Sequence, residues 1–548
     1  MHFINVVLVL SIVILPSCLS AVNEAFVREA SYHHLYPYLS IAVRLRDHMH
    51  VLPYFFGLLE NLDYPKDQIL IDIYVGKHTD ATLSETKLWT DNARIYYKSV
   101  SLNSNPENWQ EEALTKARSS KAKYLLFLRG DHLLTDSKIL QKLMQKKKLA
   151  IAPCLFALFD DPPTVPVCQN YYDRNKAANI NEVDMVPQPL LIHLAHPDSS
   201  YLTFTADNLF NYSEFDSKGP GSVFTISALR MNITFFVDHE YFYGYFIDHS
   251  LRSLKYQRQL FHHLLTNLVA DFGVMPIVPS SFLTISYPQP SLFAVDKIYI
   301  INLKRRIERK IKMEEKMKLL GFQYTFWEAT DGSNLDAEPL YSEVEFLPEF
   351  EDPFTGRPMT TGEIGCFISH YRIWQEVVAK KLSRVLVFED DLRFHVNTTD
   401  FLAELLQDLD SSKIDWDLIY LGRKILRGDD ERWLPNHRHL TTVSYSYWTL
   451  GYLLSQNGAQ KFIRGNPLKK LLPVDEYMPI MYNKHPNTTW KEAFPNRDLI
   501  AYAISPSIVF PERYVNDPDY VSDTENSDIV DIIDKATKNI NLSSKDEL

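Results

Sequence analysis

The chain has 548 residues, 45% apolar and 23% charged, which describes a folded protein too long for one ordinary core and predicts two or more domains. Its 57 basic and 69 acidic residues leave a formal charge of −12, which excludes a general nucleic-acid binder and allows only local basic patches. Beyond residue 20 no run of about eighteen apolar residues occurs, so no membrane span is expected, and no Cys/His spacing suggests a zinc-built fold.

Residues 1–20 read as a signal peptide. Val6 to Leu15 is an apolar run too short to span a bilayer, and Pro16-Ser17-Cys18-Leu19-Ser20 suits cleavage after Ser20, although His2 is the only basic side chain before the run. The other terminus, Lys545-Asp546-Glu547-Leu548, is a retrieval signal for the endoplasmic reticulum, with the retrieval receptor as its partner. Both addresses point to the lumen of that compartment. There the triplets at Asn211, Asn232, Asn397, Asn487 and Asn541 become candidate glycosylation sites, expected to be exposed. Cys18 leaves with the signal peptide, Cys154 and Cys168 are close enough in sequence to bridge, and Cys366 is then unpaired.

A first domain is expected over residues 37–272. Ser40–Leu45, Gln68–Val75 and Ala122–Leu128 read as strands, with a helix over His50–Leu62, and the alternation predicts a parallel α/β sheet. The basic run Lys142–Lys148 reads as a solvated helix end. A linker follows over 273–292, where Met275–Pro290 carries four prolines and few charges. A second α/β pattern spans 293–515. Its strands are Lys297–Leu303, Ser383–Phe388 and Leu418–Leu421, and Arg306–Leu320 is a basic amphipathic helix. From 516 to 548 the chain reads as an acidic tail ending in the retrieval signal.

The strongest chemical signal is V-L-V-F-E-D-D, residues 385–391. Glu389, Asp390 and Asp391 stand at the carboxyl end of an apolar strand, where open α/β sheets bind ligands. Carboxylates crowded there call for a cation, and Mg²⁺ or Mn²⁺ suits their oxygens while sharing phosphate oxygens of a nucleotide sugar. The competing reading is a helix N-cap with acids near the dipole. Asp415-Trp416-Asp417 precedes its strand and reads as a turn at the opposite edge. Arg305, Arg306 and Arg309 cluster at a strand-to-helix turn suited to phosphate. Glu363 and His370 surround a helix start, and Asp475 and Glu476 follow a proline turn.

Taken together, I-N-L-K-R-R-I-E-R (301–309), E-A-T-D-G (328–332), T-G-E-I-G-C-F-I-S-H (361–370), V-F-E-D-D-L-R-F (387–394), D-W-D-L-I-Y-L-G-R-K (415–424), S-Y-W-T-L (446–450), L-P-V-D-E (472–476) and Y-V-S-D-T-E (520–525) resemble glycosyltransferase family 25. The two-domain layout and retrieval signal are similar to the animal procollagen galactosyltransferases within it. The resemblance implies two tandem GT-A-like nucleotide-diphospho-sugar transferase domains of α/β class. It also implies inverting transfer of galactose from UDP-galactose to collagen hydroxylysine, with Mn²⁺.

On that basis Asp390 and Asp391 are expected to bind metal. Asp475 is the first candidate for the base, Glu476 its rival and Glu363 a third. Glu389, Arg306 and Arg309 are expected at the donor, the arginines equally open to a packing role. In the first domain Leu52–Lys66 and Lys123–Leu128 fit the family, but Arg129-Gly130-Asp131 stands where relatives carry Asp-x-Asp, and Lys77 replaces an acid. A cation there opposes metal binding, so this domain is expected to be degenerate and to hold collagen or support a homodimer. The rival class is a catalytically inactive luminal collagen-binding or adhesion protein of the same fold.

Overall fold

A computed structural model describes residues 32–104, 107–158, 180–212, 219–247, 253–515, 517 and 520–530. The signal peptide, Cys168, Asn541 and the retrieval signal lie outside the described residues. The chain divides into two compact units, one of residues 1–261 and 277–286, the other of 262–276 and 287–548. This division crosses the expected linker twice. Residues 262–276 belong with the C-terminal unit because their polar groups are satisfied there. Arg393 donates to Asn267 Oδ1 at 3.2 Å and ion-pairs with Asp271, and the His263 ring bonds Phe394 O.

The N-terminal unit holds an eight-stranded sheet. Leu39–Leu45 lies at its centre, parallel to Ile69–Val75 and to Tyr124–Arg129, as the apolar runs predict. The expected helix forms over Leu52–Glu60, with eight buried residues and a proline in its first turn. The basic run is tied down: Lys142 pairs with Asp136 at 2.6 Å, Lys146 pairs with Glu240, and Lys148 lies over the Phe236 ring. Cys154 is disulfide-bonded. Asn211 and Asn232 are exposed, whereas Asn397 and Asn487 are half-buried at helix starts, where Asn487 Oδ1 caps Trp490 N.

The C-terminal unit is built on a seven-stranded mixed sheet. Its order is Thr325–Glu328, Lys297–Asn302, Arg384–Phe388, Ser446–Ser455, Leu418–Ile425, Ala501–Ile504 and Leu440–Thr442. Ser446–Ser455 runs antiparallel to both its neighbours, so Arg384–Phe388 and Leu418–Ile425 point the same way. Strand periodicity sends alternate side chains to opposite faces. Tyr299, Val385, Val387 and Tyr420 join a core beneath the helices Thr361–Ala379 and Val474–Met481. Ile298, Ile300, Leu386 and Phe388 join one beneath Ile307–Leu320 and Thr398–Ser412. Burial on both faces is why these strands read as unbroken apolar runs.

Candidate active site

Three carboxyl-edge features converge in the C-terminal unit. The strand Lys297–Asn302 ends at Asn302 and turns into the helix Ile307–Leu320, which carries Arg309 on its first turn. Arg384–Phe388 delivers Glu389, Asp390 and Asp391. The antiparallel strand Ser446–Ser455 brings its own beginning to this edge, which sets Thr449 beside Glu389. Together with loop 329–333 and residues 520–528 they enclose a cavity of about 470 Å³, a size that suits a small-molecule ligand.

Two glycines make the closure possible. A Cβ on Gly362 would meet Asp523 O at 2.1 Å, and one on Gly365 would meet Thr330 O at 2.6 Å. Residues 520–528 thus pack against the start of the helix Thr361–Ala379. This corrects the expectation of a tail beginning at 516: Asp523 is not a solvated charge but is gripped by two arginines. Arg306 donates to it through Nε at 2.9 Å and Nη2 at 2.8 Å, and Arg305 through Nη1 at 2.8 Å. Burial opposes ionisation of Asp523, yet these bonds hold its carboxyl below the ordinary range.

Arg309 sits between the two expected metal-binding carboxylates. Its Nη1 donates to Asp390 Oδ1 and Asp391 Oδ2, both at 3.1 Å, and its Nη2 to Val521 O. Asn302 Nδ2 donates to the other Asp390 oxygen at 2.7 Å. Burial, with Asp390, Glu389 and Glu512 nearby, pushes Asp391 up to about 7 against the pull of Arg309. Burial also raises Asp390. Glu389 goes the other way: His370 and the Thr449 hydroxyl, which donates to Glu389 Oε1 at 2.5 Å, outweigh burial and lower it.

The three base candidates fall into different settings, and none lines the cavity. Glu363 closes a capping box with Thr360 and takes two bonds from Arg357, at 2.8 and 3.0 Å. Glu476 is fully buried and accepts from Tyr445 at 3.0 Å and Tyr447 at 2.6 Å, with His485 at 2.6 Å. Asp475 differs from both. Its Oδ1 is buried without a hydrogen-bond partner, and burial, then the charges of Glu389 and Glu476, raise its carboxyl well above the usual range. Trp448, at φ +73°, aims its backbone N–H at this carboxyl.

The cavity therefore gathers Arg306, Arg309, Glu389, Asp390 and Asp391, and it adds Arg305, Asp523, Cys366 and His370. Asp417 stands at the opposite edge, bonded to Lys461, Asn457 and Ile500 N, and serves the core there. In the N-terminal unit Arg129 ion-pairs with the fully buried Asp131 at the carboxyl end of its strand. Among the described residues no helix is long and apolar enough to cross a membrane.

Residues 295–478 match the family profile described as glycosyltransferase family 25 (LPS biosynthesis protein). Residues 36–112 and 108–266 match glycosyltransferase family 25, N-terminal domain. A glycosyltransferase 25 family member of Anopheles gambiae is 35% identical over 90% of this chain and 89% of its own. Procollagen galactosyltransferase 1 of Danio rerio is 34% identical, covering 91% and 88%. Procollagen galactosyltransferase 2 of Homo sapiens is 33% identical, covering 90% and 84%.

Proposed function

The chain belongs to glycosyltransferase family 25 and is a glycosyltransferase, and from that premise we propose that it moves galactose from UDP-galactose to hydroxylysine of collagen in the lumen of the endoplasmic reticulum. The observation that carries this reading is the meeting of an oxygen-only acidic pair, Asp390 and Asp391, with Arg305, Arg306 and Arg309 in one cavity. That pairing suits a diphosphate donor. The names of the vertebrate relatives support the sugar and the acceptor. The terminal Lys545–Leu548 and the leader support the compartment.

Asp390 and Asp391 already accept one cation, the Arg309 guanidinium, and their donor set is all oxygen, so a hard ion of the Mn²⁺ class fits them. When bound, that ion neutralises charge developing on the departing diphosphate. Arg305 and Arg306 bind the donor phosphates in the place that Asp523 takes here, one carboxylate exchanged for another anion. Glu389 faces the donor from the strand end. We assign Asp475, whose proton affinity burial and the charges of Glu389 and Glu476 raise, as the group that takes the proton of the attacking hydroxyl. Glu476 and Glu363 hold the fold around it. Attack opposite the leaving group gives inversion and a β-linked galactose. In the N-terminal unit Arg129 stands in place of a second carboxylate and leaves Asp131 without the acidic partner a metal site needs, so we assign that unit no transfer.

Purified protein incubated with UDP-galactose, Mn²⁺ and a hydroxylysine-containing collagen peptide should release UDP and add one hexose to the peptide, read by mass spectrometry. Asp391→Asn should abolish the transfer and Asp131→Asn should preserve it. Folded protein that transfers no sugar to the peptide sinks the reading. A different preferred sugar in a UDP-sugar panel reassigns the donor.

A further inference from the structure

We propose that Cys366, His370 and Glu389 form a binding site for a thiophilic divalent ion of the zinc class, distinct from the oxygen pair Asp390–Asp391. Their ligand atoms lie within 4.8 Å of one another. Zinc ligands of tetrahedral sites stand about 2.0–2.3 Å from the ion. At such bond lengths the ligand atoms of a tetrahedral site stand roughly 3.3–3.8 Å apart, and His370 Nε2 and Glu389 Oε1 are 3.8 Å apart.

The trio is mounted on rigid supports. Cys366 and His370 are four residues apart on the helix Thr361–Ala379, so both point from one face. That helix begins in a capping box and is buried along most of its length. Glu389 projects from the end of a central strand, and the Thr449 hydroxyl fixes its carboxylate. Such pre-set geometry is what a metal site requires.

The second observation is the histidine itself. His370 is fully buried, its Nδ1 is 2.9 Å from the Tyr452 hydroxyl, and its Nε2 has no hydrogen-bond partner. That nitrogen faces Glu389 Oε1 at 3.8 Å. A buried nitrogen held beyond hydrogen-bond distance of the carboxylate it faces is under-satisfied, and an ion bridging the two satisfies it. With the proton on Nδ1 and the Tyr452 oxygen accepting it, Nε2 offers its lone pair to the ion; Trp374 Nε1 donates to the same oxygen at 3.2 Å.

Cys366 supplies the selectivity. Burial and the charges of Glu389 and Asp475 keep its thiol protonated and unreactive. A divalent ion reverses that balance: the S–H bond breaks, the sulfur–metal bond forms, and one proton leaves to solvent. Hard ions prefer oxygen and leave this trio for the aspartates. All three ligands line the cavity, so the fourth position opens into it. An ion held here engages Glu389 and should depress any reaction in the cavity.

Cobalt is a spectroscopic stand-in for zinc, and its readout needs no transfer activity. Metal-free full-length protein titrated with Co²⁺ should develop a thiolate-to-cobalt charge-transfer band and tetrahedral visible bands at one ion per chain, with release of about one proton. Zn²⁺ should bleach them. Cys366→Ser should remove the charge-transfer band, His370→Gln should weaken binding about tenfold or more, and Asp391→Asn should keep the band. Wild-type protein showing only oxygen-ligated octahedral cobalt, or a band that survives Cys366→Ser, overturns the site. Should either variant fail to fold, X-ray absorption of the zinc-loaded native protein decides: a sulfur ligand at about 2.3 Å supports the site, and a shell of oxygen and nitrogen alone overturns it.

Discussion

At the scale of single residues, Asp391, Glu476, Asp475 and Glu363 separate by what they already hold. Asp391 has a raised proton affinity, so its cost to folding builds as the pH rises from the unfolded value of about 3.9 towards about 7 and is fully present above it. Asp391→Asn should therefore leave urea stability at pH 8 unchanged or slightly higher, while UDP release falls about 100-fold or more. Glu476 should behave in the opposite way. Glu476→Gln replaces the carboxylate that accepts from Tyr445 and Tyr447 beside His485, and it should cost about 2–4 kcal/mol in urea unfolding. Asp475→Asn keeps the shape of a side chain with an unpartnered buried oxygen. It should lower kcat about 100-fold while leaving the KM for donor nearly unchanged, the split expected when a proton acceptor is lost. The sequence named these acids and put Asp475 first, but it did not show that Glu476 is occupied, because the Tyr445 and Tyr447 hydroxyls reach it from another strand.

At the scale of elements, the segment 520–528 depends on small residues and on one charge cluster. Gly362→Ala places a methyl against Asp523 O, so it should cost about 1–3 kcal/mol and weaken UDP binding measured by calorimetry. Asp523 has a depressed carboxyl, held down by Arg305 and Arg306 against the effect of burial. Its contribution is complete above the unfolded carboxylate value of about 3.9 and disappears as the pH falls through the lower folded value. The stability gap between wild type and Asp523→Asn should therefore be flat from pH 7 to 5, at about 2 kcal/mol, and shrink below pH 4. The strands and the helix Ile307–Leu320 were legible from periodicity, because each buries its own apolar pattern. The antiparallel strand Ser446–Ser455 was not placed between two parallel ones, since no local residue records which neighbour a strand will choose. Residues 520–528 looked like a solvated acidic tail because their arginine partners lie more than two hundred positions away in the chain.

At the scale of the whole molecule, the two units share a boundary that is crossed rather than cut. A fragment beginning at residue 293 loses Asn267 and Asp271, the partners of Arg393, and His263, which bonds Phe394 O. It should melt several degrees below a fragment beginning at 253, as followed by circular dichroism. Sequence alone determined the α/β class, the glycosyltransferase family and the acidic triplet at a strand end, because each is written in contiguous residues or in motifs of fixed order. Only the tertiary structure decided which carboxylates are engaged and which is not, that Asp523 fills the arginine pair, and that Cys366 and His370 face Glu389. The physical reason is common to all of these. Charge, burial and unpaired lone pairs are properties of neighbourhoods in space, and folding assembles those neighbourhoods from residues that the sequence keeps far apart.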